Sequence, residues 1–356
     1  MFTDAPSKLP EMYDSWLQDA LQEELPTESR ATCNNCAMCP PPDDTPTEIY
    51  PFRPDIKCCA HTPRLPNFLV GQILASEEME HGVASLSKQI EARSGVDPLG
   101  VGASAAQRLL YDNSVNVIGR SRKLRCPHFV DEDGSCGIWK HRNHLCSTWF
   151  CKHDRGALGS AFWHSVQLLL KSIERDLSHW AALEAGVSAE ALCQLMSEAD
   201  KSPNAPLDAE EIDGRVADGL YAAYWGKFVG AERDFYRDCA SRISGLSWSD
   251  VQAICSPEVR ARLKVAKLAL CELSKPFQTL RVGTYQLAGV NADGIRAITH
   301  SSLDTIAIPQ PVLNILHLFD GSTAEQIFER IEREYGMRLS DELINHLVDY
   351  QLLLKS

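Results

Sequence analysis

Three cysteines near the start of the chain have the spacing of ligands to an iron–sulfur cluster. Cys33, Cys36 and Cys39 are separated by two residues each. Thiolates at this spacing can bind one face of a cubane cluster, with the intervening backbone amides directed at sulfur and a fourth ligand from a distant cysteine. Zinc also accepts four thiolates, but its sites usually pair one C-x2-C with another.

An adjacent pair, Cys58 and Cys59, completes the first group of cysteines. Adjacent cysteines seldom both bind the same small metal ion. The pair therefore serves two sites, or only one of the two thiols is a ligand.

A second group of cysteines follows about 70 residues further on. Its members are Cys126, Cys136, Cys146 and Cys151, with gaps of nine, nine and four residues. This spacing suits a closed four-thiolate site. Four histidines lie close by, namely His128, His141, His144 and His153. A histidine ligand would suit zinc or raise the potential of a cluster, but these histidines could equally be polar loop residues or donors to sulfur.

The nine grouped cysteines are therefore the candidate ligands of a metal cofactor. They are Cys33, Cys36, Cys39, Cys58, Cys59, Cys126, Cys136, Cys146 and Cys151. We expect one or two iron–sulfur clusters, of the 4Fe-4S type, with zinc as the alternative. Nine thiols could form two four-ligand sites with one spare, or one cluster and several free thiols. The metal could also only hold a loop-rich segment together.

The bulk composition restricts the compartment and the partners. A signal peptide and a stretch of about 18 apolar residues are both missing from the sequence, so we expect a cytoplasmic protein without a membrane span. In that reducing compartment, clustered cysteines are more often metal ligands than disulfides. The formal net charge of −13 argues against nucleic acid or an anionic membrane as a partner.

The sequence predicts a mainly α-helical protein with a small β content and four segments. Residues 1–30 form a short helix, with Trp16, Leu17, Leu21 and Leu25 at helical spacing. Residues 31–155 form the cysteine-rich metal domain. It begins with a proline-rich stretch that needs an external constraint, and it contains one helix at 67–93.

Residues 156–275 are predicted to form a helical middle domain. One apolar stripe consists of Phe162, Val166, Leu169, Leu170 and Ile173, and a second of Tyr221, Tyr224, Trp225, Phe228 and Val229. A linker is expected from Ser202 to Asp213. The four other cysteines are predicted to be small buried hydrophobes, namely Cys193, Cys239, Cys255 and Cys271.

Residues 276–356 are predicted to form a small module of strands followed by three helices. The strands are expected at Leu280–Leu287, Ile295–Thr299 and Thr305–Ile308, with turns at Gly289 and at Asn291–Gly294. The helices are expected at Pro311–Phe319, Thr323–Tyr335 and Asp341–Leu354, with Ser322 and Ser340 as N-caps of the last two.

The cysteine-rich segment resembles the YkgJ-like family, described as a zinc- or iron-chelating domain. The residues that carry the resemblance are Cys58-Cys59, Cys126-Pro127-His128-Phe129, Cys136-Gly137-Ile138-Trp139, Arg142 ahead of Cys146, and Phe150-Cys151. A proline-rich insert before the Cys-Cys pair, Asn143 in place of a proline, and a longer last gap depart from the family pattern. Flagellin lysine N-methylases are similar to this family and are associated with iron–sulfur chemistry, which implies an enzyme precedent.

The C-terminal module resembles PqqD-like domains, which recognise peptides. The resemblance rests on Val312 to Leu316, Asp320-Gly321-Ser322-Thr323, Ile327, Ile331, Leu343, Leu347 and Leu352-Leu353. It implies a winged-helix-like fold in which a peptide strand adds to the edge of a small sheet. A packing module without a ligand is the alternative. The acidic helix with Glu325, Glu329, Glu332 and Glu334 argues against DNA binding.

Together these features predict an iron–sulfur protein that modifies a peptide or protein recruited by its C-terminal module. The alternatives are a metal or redox sensor, with Lys57, Lys152 and Arg155 near reactive thiolates, and a structural zinc protein.

The sequence lacks a Walker loop, a dinucleotide fingerprint, an H-E-x-x-H motif and a G-x-S-x-G motif. The C-x3-C-x2-C spacing of radical-SAM enzymes is also missing, and no catalytic residue is predicted.

Overall fold

The fold is mainly α-helical with small β-sheets, as the sequence predicts. It was obtained as a computed structural model that describes residues 9–30, 33, 36–41, 50–199, 215–291 and 294–355. The predicted linker from Ser202 to Asp213 lies outside the described residues. So do the first eight residues, much of the proline-rich stretch and part of the turn Asn291–Gly294.

The helices account for most of the described chain. The α-helices are α1 (Glu11–Leu21), α2 (Asn67–Leu74), α3 (Glu80–Glu91), α4 (Ala105–Asp112), α5 (His144–Thr148), α6 (Gly156–Ala185), α7 (Ala189–Ala199), α8 (Asp218–Trp225), α9 (Glu232–Ile243), α10 (Trp248–Ile254), α11 (Pro257–Ser274), α12 (Gln310–Ile315), α13 (Ala324–Tyr335) and α14 (Asp341–Asp349). Short 3-10 helices occupy Arg122–Leu124, Trp139–His141, Gly226–Phe228 and Leu316–Leu318.

The strands of the described chain form three antiparallel sheets of three strands each. The strands are β1 (Leu65–Pro66), β2 (Val96–Asp97), β3 (Gly100–Val101), β4 (Thr279–Val282), β5 (Gln286–Asn291), β6 (Gly294–Ile298), β7 (Ile306–Ile308), β8 (Asp320–Thr323) and β9 (Leu353–Lys355). The strand orders are β1-β3-β2, β8-β4-β9 and β5-β6-β7. The last two sheets belong to the C-terminal module.

Helix α6 is the central support of the molecule. Its 30 residues span about 45 Å at 1.5 Å per residue. The predicted apolar stripe is confirmed, because Phe162, Val166, Leu169, Leu170 and Ile173 are all fully buried. Helices α2, α5, α9, α10, α11 and α14 pack against it. No helix in the described ranges is both long enough and apolar enough to cross a membrane.

Helices α2 and α9 approach each other closely at Gly71. A Cβ atom built on Gly71 would lie 1.9 Å from the carbonyl oxygen of Tyr236 and 2.7 Å from the Cβ atom of Ala240. Only glycine fits at this crossing without moving a backbone. The contact fixes α2 beneath the cysteine-rich loops.

Two helix predictions in the first 93 residues needed correction. Helix α1 buries Trp16, Leu17 and Leu21 as expected, but it ends before Leu25. The helix predicted at 67–93 is interrupted between α2 and α3. The Ser76 hydroxyl accepts a hydrogen bond from the N–H of Glu78 at 3.3 Å, and such local bonds compete with the helical pattern.

The second apolar stripe of the helical segment is only partly confirmed. Tyr221, Tyr224 and Trp225 are buried on α8, which ends at Trp225. Phe228 is partly buried and Val229 is 43% exposed, since both follow the end of the helix.

The predicted strand Leu280–Leu287 is wrong, because the segment divides between two sheets. β4 pairs with β8 and β9, whereas β5 starts a separate sheet. The turn predicted at Gly289 is also wrong, because Gly289 lies within β5 and pairs with Arg296. The chain turns at Gly283, whose N–H donates to the carbonyl of Leu352 at 2.8 Å. A Cβ atom there would lie 2.2 Å from the carbonyl oxygen of Gln351. The strands at Gly294–Ile298 and Ile306–Ile308 confirm the other two strand predictions to within a few residues.

The three C-terminal helices are present with shifted ends. The N-cap of α13 is Thr323, with Gln326 completing the capping box, and not Ser322. Ser340 caps α14 as predicted, but α14 ends at Asp349 and the final residues form β9. Leu353 therefore pairs with Val282 in a sheet, where the sequence pattern suggested a continued helix.

The four cysteines outside the two groups behave differently from one another. Cys239 and Cys255 are buried, as predicted. Cys193 and Cys271 are exposed, so the prediction of a buried hydrophobe is wrong for these two. Both lie on the solvent-facing sides of α7 and α11.

Candidate metal centre

The loops that carry the cysteines are joined by backbone hydrogen bonds. The N–H of Cys126 donates to the carbonyl of Cys59 at 2.7 Å, which links the two groups directly. Phe129 and Cys136 form an isolated β-bridge, and the N–H of Gly137 donates to the carbonyl of His128 at 2.8 Å. Cysteines more than 60 residues apart in the chain therefore come close together.

The pKa shifts of the thiols show which of them are neighbours, because Coulombic effects fall with distance. Burial is the main cause of a raised pKa at five thiols, namely Cys33, Cys126, Cys136, Cys146 and Cys151. At Cys39 and Cys59 the main cause is the hydrogen bond that each thiol donates, to Cys36 and to Cys58 respectively. Charge on Cys58 adds to the rise at all seven: Cys33, Cys39, Cys59, Cys126, Cys136, Cys146 and Cys151. Cys36 in turn influences Cys58 and Cys151. All nine candidate ligands thus belong to one electrostatic neighbourhood, in which the charge of Cys58 influences thiols of both groups.

The described thiols are not arranged as a closed zinc site. Around tetrahedral zinc, with Zn–S bonds of about 2.3 Å, sulfur atoms lie about 3.8 Å apart. Within the described ranges, one group of three or more metal-ligating side chains has its ligand atoms within 4.8 Å of one another, and it contains no cysteine. Cys36 with Cys39 and Cys58 with Cys59 form two hydrogen-bonded pairs of thiols, but in the described ranges neither pair has a third cysteine within that spacing of both its members.

Backbone amides favour the thiolate form at several cysteines. The N–H of His128 donates to the sulfur of Cys126, and the N–H of Ile138 to the sulfur of Cys136. The pKa of Cys36 is lowered to about 6, first by a hydrogen bond from the Cys39 thiol and then, against the effect of burial, by nearby amides. Thiolates bind metal ions, so these turns prepare the sulfurs for ligation.

Arg142 places a buried positive charge among the thiols. Its side chain is almost inaccessible, and its guanidinium carbon lies 3.5 Å from the centre of the Trp139 ring. Its Nε donates to the carbonyl of Trp139 at 3.1 Å and its Nη1 to that of Cys146 at 3.3 Å. Burial lowers the pKa of Arg142, while Cys136 and Cys33 oppose that effect. The cation can therefore balance negative charge on sulfur.

Lys57 is a second cation at the same place. Its Nζ donates to the carbonyl of Cys33 at 2.7 Å and to that of Gly134 at 2.6 Å, which ties the loop of the first group to that of the second. Its backbone is left-handed, with φ of 54°. Of the other predicted cations, Lys152 interacts with Cys151, but Arg155 forms an ion pair with Asp349 at 2.6 Å.

Three of the four nearby histidines have other partners. Nδ1 of His128 lies 2.8 Å from the Ser85 hydroxyl, and burial lowers the pKa of His128 to about 4, so the ring is neutral. Nδ1 of His144 lies 2.6 Å from Glu174. The backbone N–H of His153 donates to Asp304 at 3.0 Å, and Nδ1 of its ring faces the same carboxylate at 3.8 Å. These three histidines therefore fit the alternative of polar residues around the cysteines better than that of ligands to the metal at the cysteines.

A buried carboxylate that the sequence analysis did not identify holds the segment with Cys146. Glu174 on α6 accepts hydrogen bonds from the Tyr13 hydroxyl, from the N–H of His144 and from its ring. His144 is the first residue of α5, which carries Cys146. Glu174 directly follows the apolar stripe of α6 in the sequence, and that position could have predicted its burial. A buried carboxylate needs hydrogen-bond partners, so it would then have been a candidate for an interaction between segments.

Comparison with known proteins gives no match, whether to a protein-family model, to a curated protein or to a solved structure.

Proposed function

We propose that the protein holds an iron–sulfur cluster with cysteines from both groups and acts on a peptide or protein in the cytoplasm. The convergence of the thiols around Cys58 and Arg142 carries this proposal. Nine thiols, amides directed at sulfur and a buried cation are a donor set that suits a negatively charged cluster.

The number and grouping of the thiols favour a cluster over a single zinc ion. One zinc ion takes four ligands, whereas thiols of both cysteine groups influence one another electrostatically here. A cubane takes three closely spaced thiolates and a fourth from a distant cysteine, which fits Cys33, Cys36 and Cys39 with a member of the second group. When bound, such a cluster would supply one-electron transfer or a Lewis-acidic iron. Arg142 and Lys57 would balance its charge.

The test is anaerobic purification of the full chain, followed by iron and sulfide analysis. We expect a brown protein with about four or eight irons and as many sulfides per chain. Cys58→Ser and Cys136→Ser should lose most of the iron. Cys271→Ser is the matched control, because Cys271 is exposed and distant in sequence, and it should keep the wild-type content.

Two outcomes would contradict the cluster. One is a colourless protein that carries one or two zinc ions, and the other is iron content unaffected by either cysteine variant. Circular dichroism of the same samples separates two roles for the metal. If Cys58→Ser loses iron and stays folded, the cluster has a function beyond holding the loops, and if the domain unfolds the structural role is favoured.

For the substrate, we propose that a peptide strand adds to β5 in the C-terminal module. β5 is an edge strand of its sheet, and Leu287 and Val290 on it are 59% and 78% exposed. An apolar edge strand with unpaired backbone groups attracts another strand. The overall negative charge favours a basic peptide.

Val290→Lys should weaken peptide capture at least tenfold, because a charge on the edge strand opposes strand addition. A library of basic, apolar-alternating peptides is screened by fluorescence anisotropy with the full chain. Leu268→Lys is the matched control, since Leu268 is 71% exposed on α11. Equal affinity of both variants for the best peptide would remove β5 as the binding edge.

A further inference from the structure

Two histidines and an aspartate meet at the junction of the cysteine-rich segment and the C-terminal module. His153 lies three residues before the start of α6, and His300 and Asp304 lie in the turn between β6 and β7. One ligand atom from each lies within 4.8 Å of the other two. Oδ2 of Asp304 is 3.8 Å from Nδ1 of His153 and 3.6 Å from Nε2 of His300.

His153 and Asp304 are buried at this junction and His300 is partly buried. Among the described residues, one ring nitrogen of each histidine lacks a hydrogen-bond partner. His153 is 7% exposed and Asp304 is 1% exposed. Within the described part of the chain, Nδ1 of His153 and Nε2 of His300 have no hydrogen-bond partner and no access to solvent. A buried polar atom left in this state destabilises the fold. Two such atoms directed at one carboxylate need an explanation.

The remaining contacts orient the three groups. Oδ1 of Asp304 accepts a hydrogen bond from the Tyr350 hydroxyl at 3.1 Å and lies 3.7 Å from the guanidinium of Arg30. Oδ2 accepts the backbone N–H of His153 at 3.0 Å. Nδ1 of His300 lies 3.1 Å from the Thr299 hydroxyl, which leaves Nε2 facing the carboxylate. Such outer partners commonly fix metal ligands.

The distances suit ligands of one ion better than hydrogen bonds. Separations of 3.6 and 3.8 Å between nitrogen and oxygen are too long for good hydrogen bonds. Around a tetrahedral ion with bonds of about 2.1 Å, neighbouring ligand atoms lie about 3.4 Å apart. A small movement of the rings would bring all three atoms to that spacing.

We propose that His153, His300 and Asp304 bind one divalent transition-metal ion, separate from any cofactor at the cysteines. Two imidazoles and one carboxylate are a ligand set of zinc sites that keep an open position, and also of ferrous sites. We assign zinc, because a given site of nitrogen and oxygen ligands generally binds zinc more tightly than ferrous iron. The ion joins the segment after Cys151 to the C-terminal module.

The test uses the full chain, purified without oxygen, loaded with Zn²⁺ and freed of excess metal. Wild type should carry one zinc more per chain than His300→Ala and Asp304→Asn. The matched control is His317→Ala, an exposed histidine of the same module, which should bind as wild type does. Iron and sulfide are measured in every sample, so loss of the cysteine cofactor is distinguished from loss of this site.

X-ray absorption at the zinc edge then identifies the ligands. A nitrogen and oxygen shell at about 2.0–2.1 Å that disappears in Asp304→Asn supports the site. A sulfur shell alone at about 2.3 Å, or equal zinc content in wild type and in both variants, overturns it. Loading with Fe²⁺ in a parallel sample decides the metal. Histidine-dependent binding of one iron without sulfide, in preference to zinc, would keep the site and overturn the assignment of zinc.

Discussion

Arg142→Leu is expected to lose most of the iron from the cysteine region and to lower the free energy of unfolding by about 3 kcal/mol. The guanidinium lies among Cys33, Cys136 and Cys146, whose thiols all interact with it. Removing the cation leaves negative charge on sulfur without compensation in a buried region. It also leaves the carbonyl of Trp139 without its side-chain donor.

Arg142→Lys distinguishes the effect of the positive charge from the effect of the planar guanidinium group. Lysine keeps the positive charge but cannot stack on Trp139 and donate to two carbonyls in one plane. We therefore expect Arg142→Lys to retain more iron than Arg142→Leu while losing part of the stability. Iron per chain and urea denaturation, both without oxygen, measure the two effects. Full iron content in Arg142→Leu would show that the cation does not stabilise the cofactor.

Features that lie along one element were predictable from the sequence. The apolar stripe of α6 and the Ser340 cap depend on residues within a few positions of each other, and periodicity and capping rules describe such relations directly. The two cysteine groups were recognised for the same reason. The spacing of thiols along the chain limits which of them can share a metal.

Relations between elements were not predictable in the same way. The contact of Cys126 with Cys59 depends on how two loops dock, and no local pattern encodes it. The division of Leu280–Leu287 between two sheets follows from Gly283 packing on Gln351, a residue almost 70 positions away. His300 and Asp304 lie in a turn made mostly of polar residues, and only the fold places them beside His153.

Glu174→Leu is expected to lower the free energy of unfolding by about 4 kcal/mol, the largest stability effect we expect for one substitution. The carboxylate lies in the core and accepts hydrogen bonds from Tyr13 and from two nitrogens of His144. Leucine would leave all three donors buried without an acceptor. Glu174→Gln keeps one acceptor oxygen, so we expect less than half of the loss.

Tyr13→Phe provides the matched test of this mechanism. Burial, and then the charge of Glu174, raise the pKa of Tyr13 well above its usual value, so the hydroxyl remains a donor. Alone, Tyr13→Phe removes one hydrogen bond and should cost about 1 kcal/mol. In the Glu174→Leu variant, Tyr13→Phe removes a hydroxyl that already lacks its acceptor. The double variant should therefore be more stable than the sum of the single losses predicts, by about 1–2 kcal/mol. Additive losses in urea denaturation would mean that Tyr13 and Glu174 stabilise the chain independently.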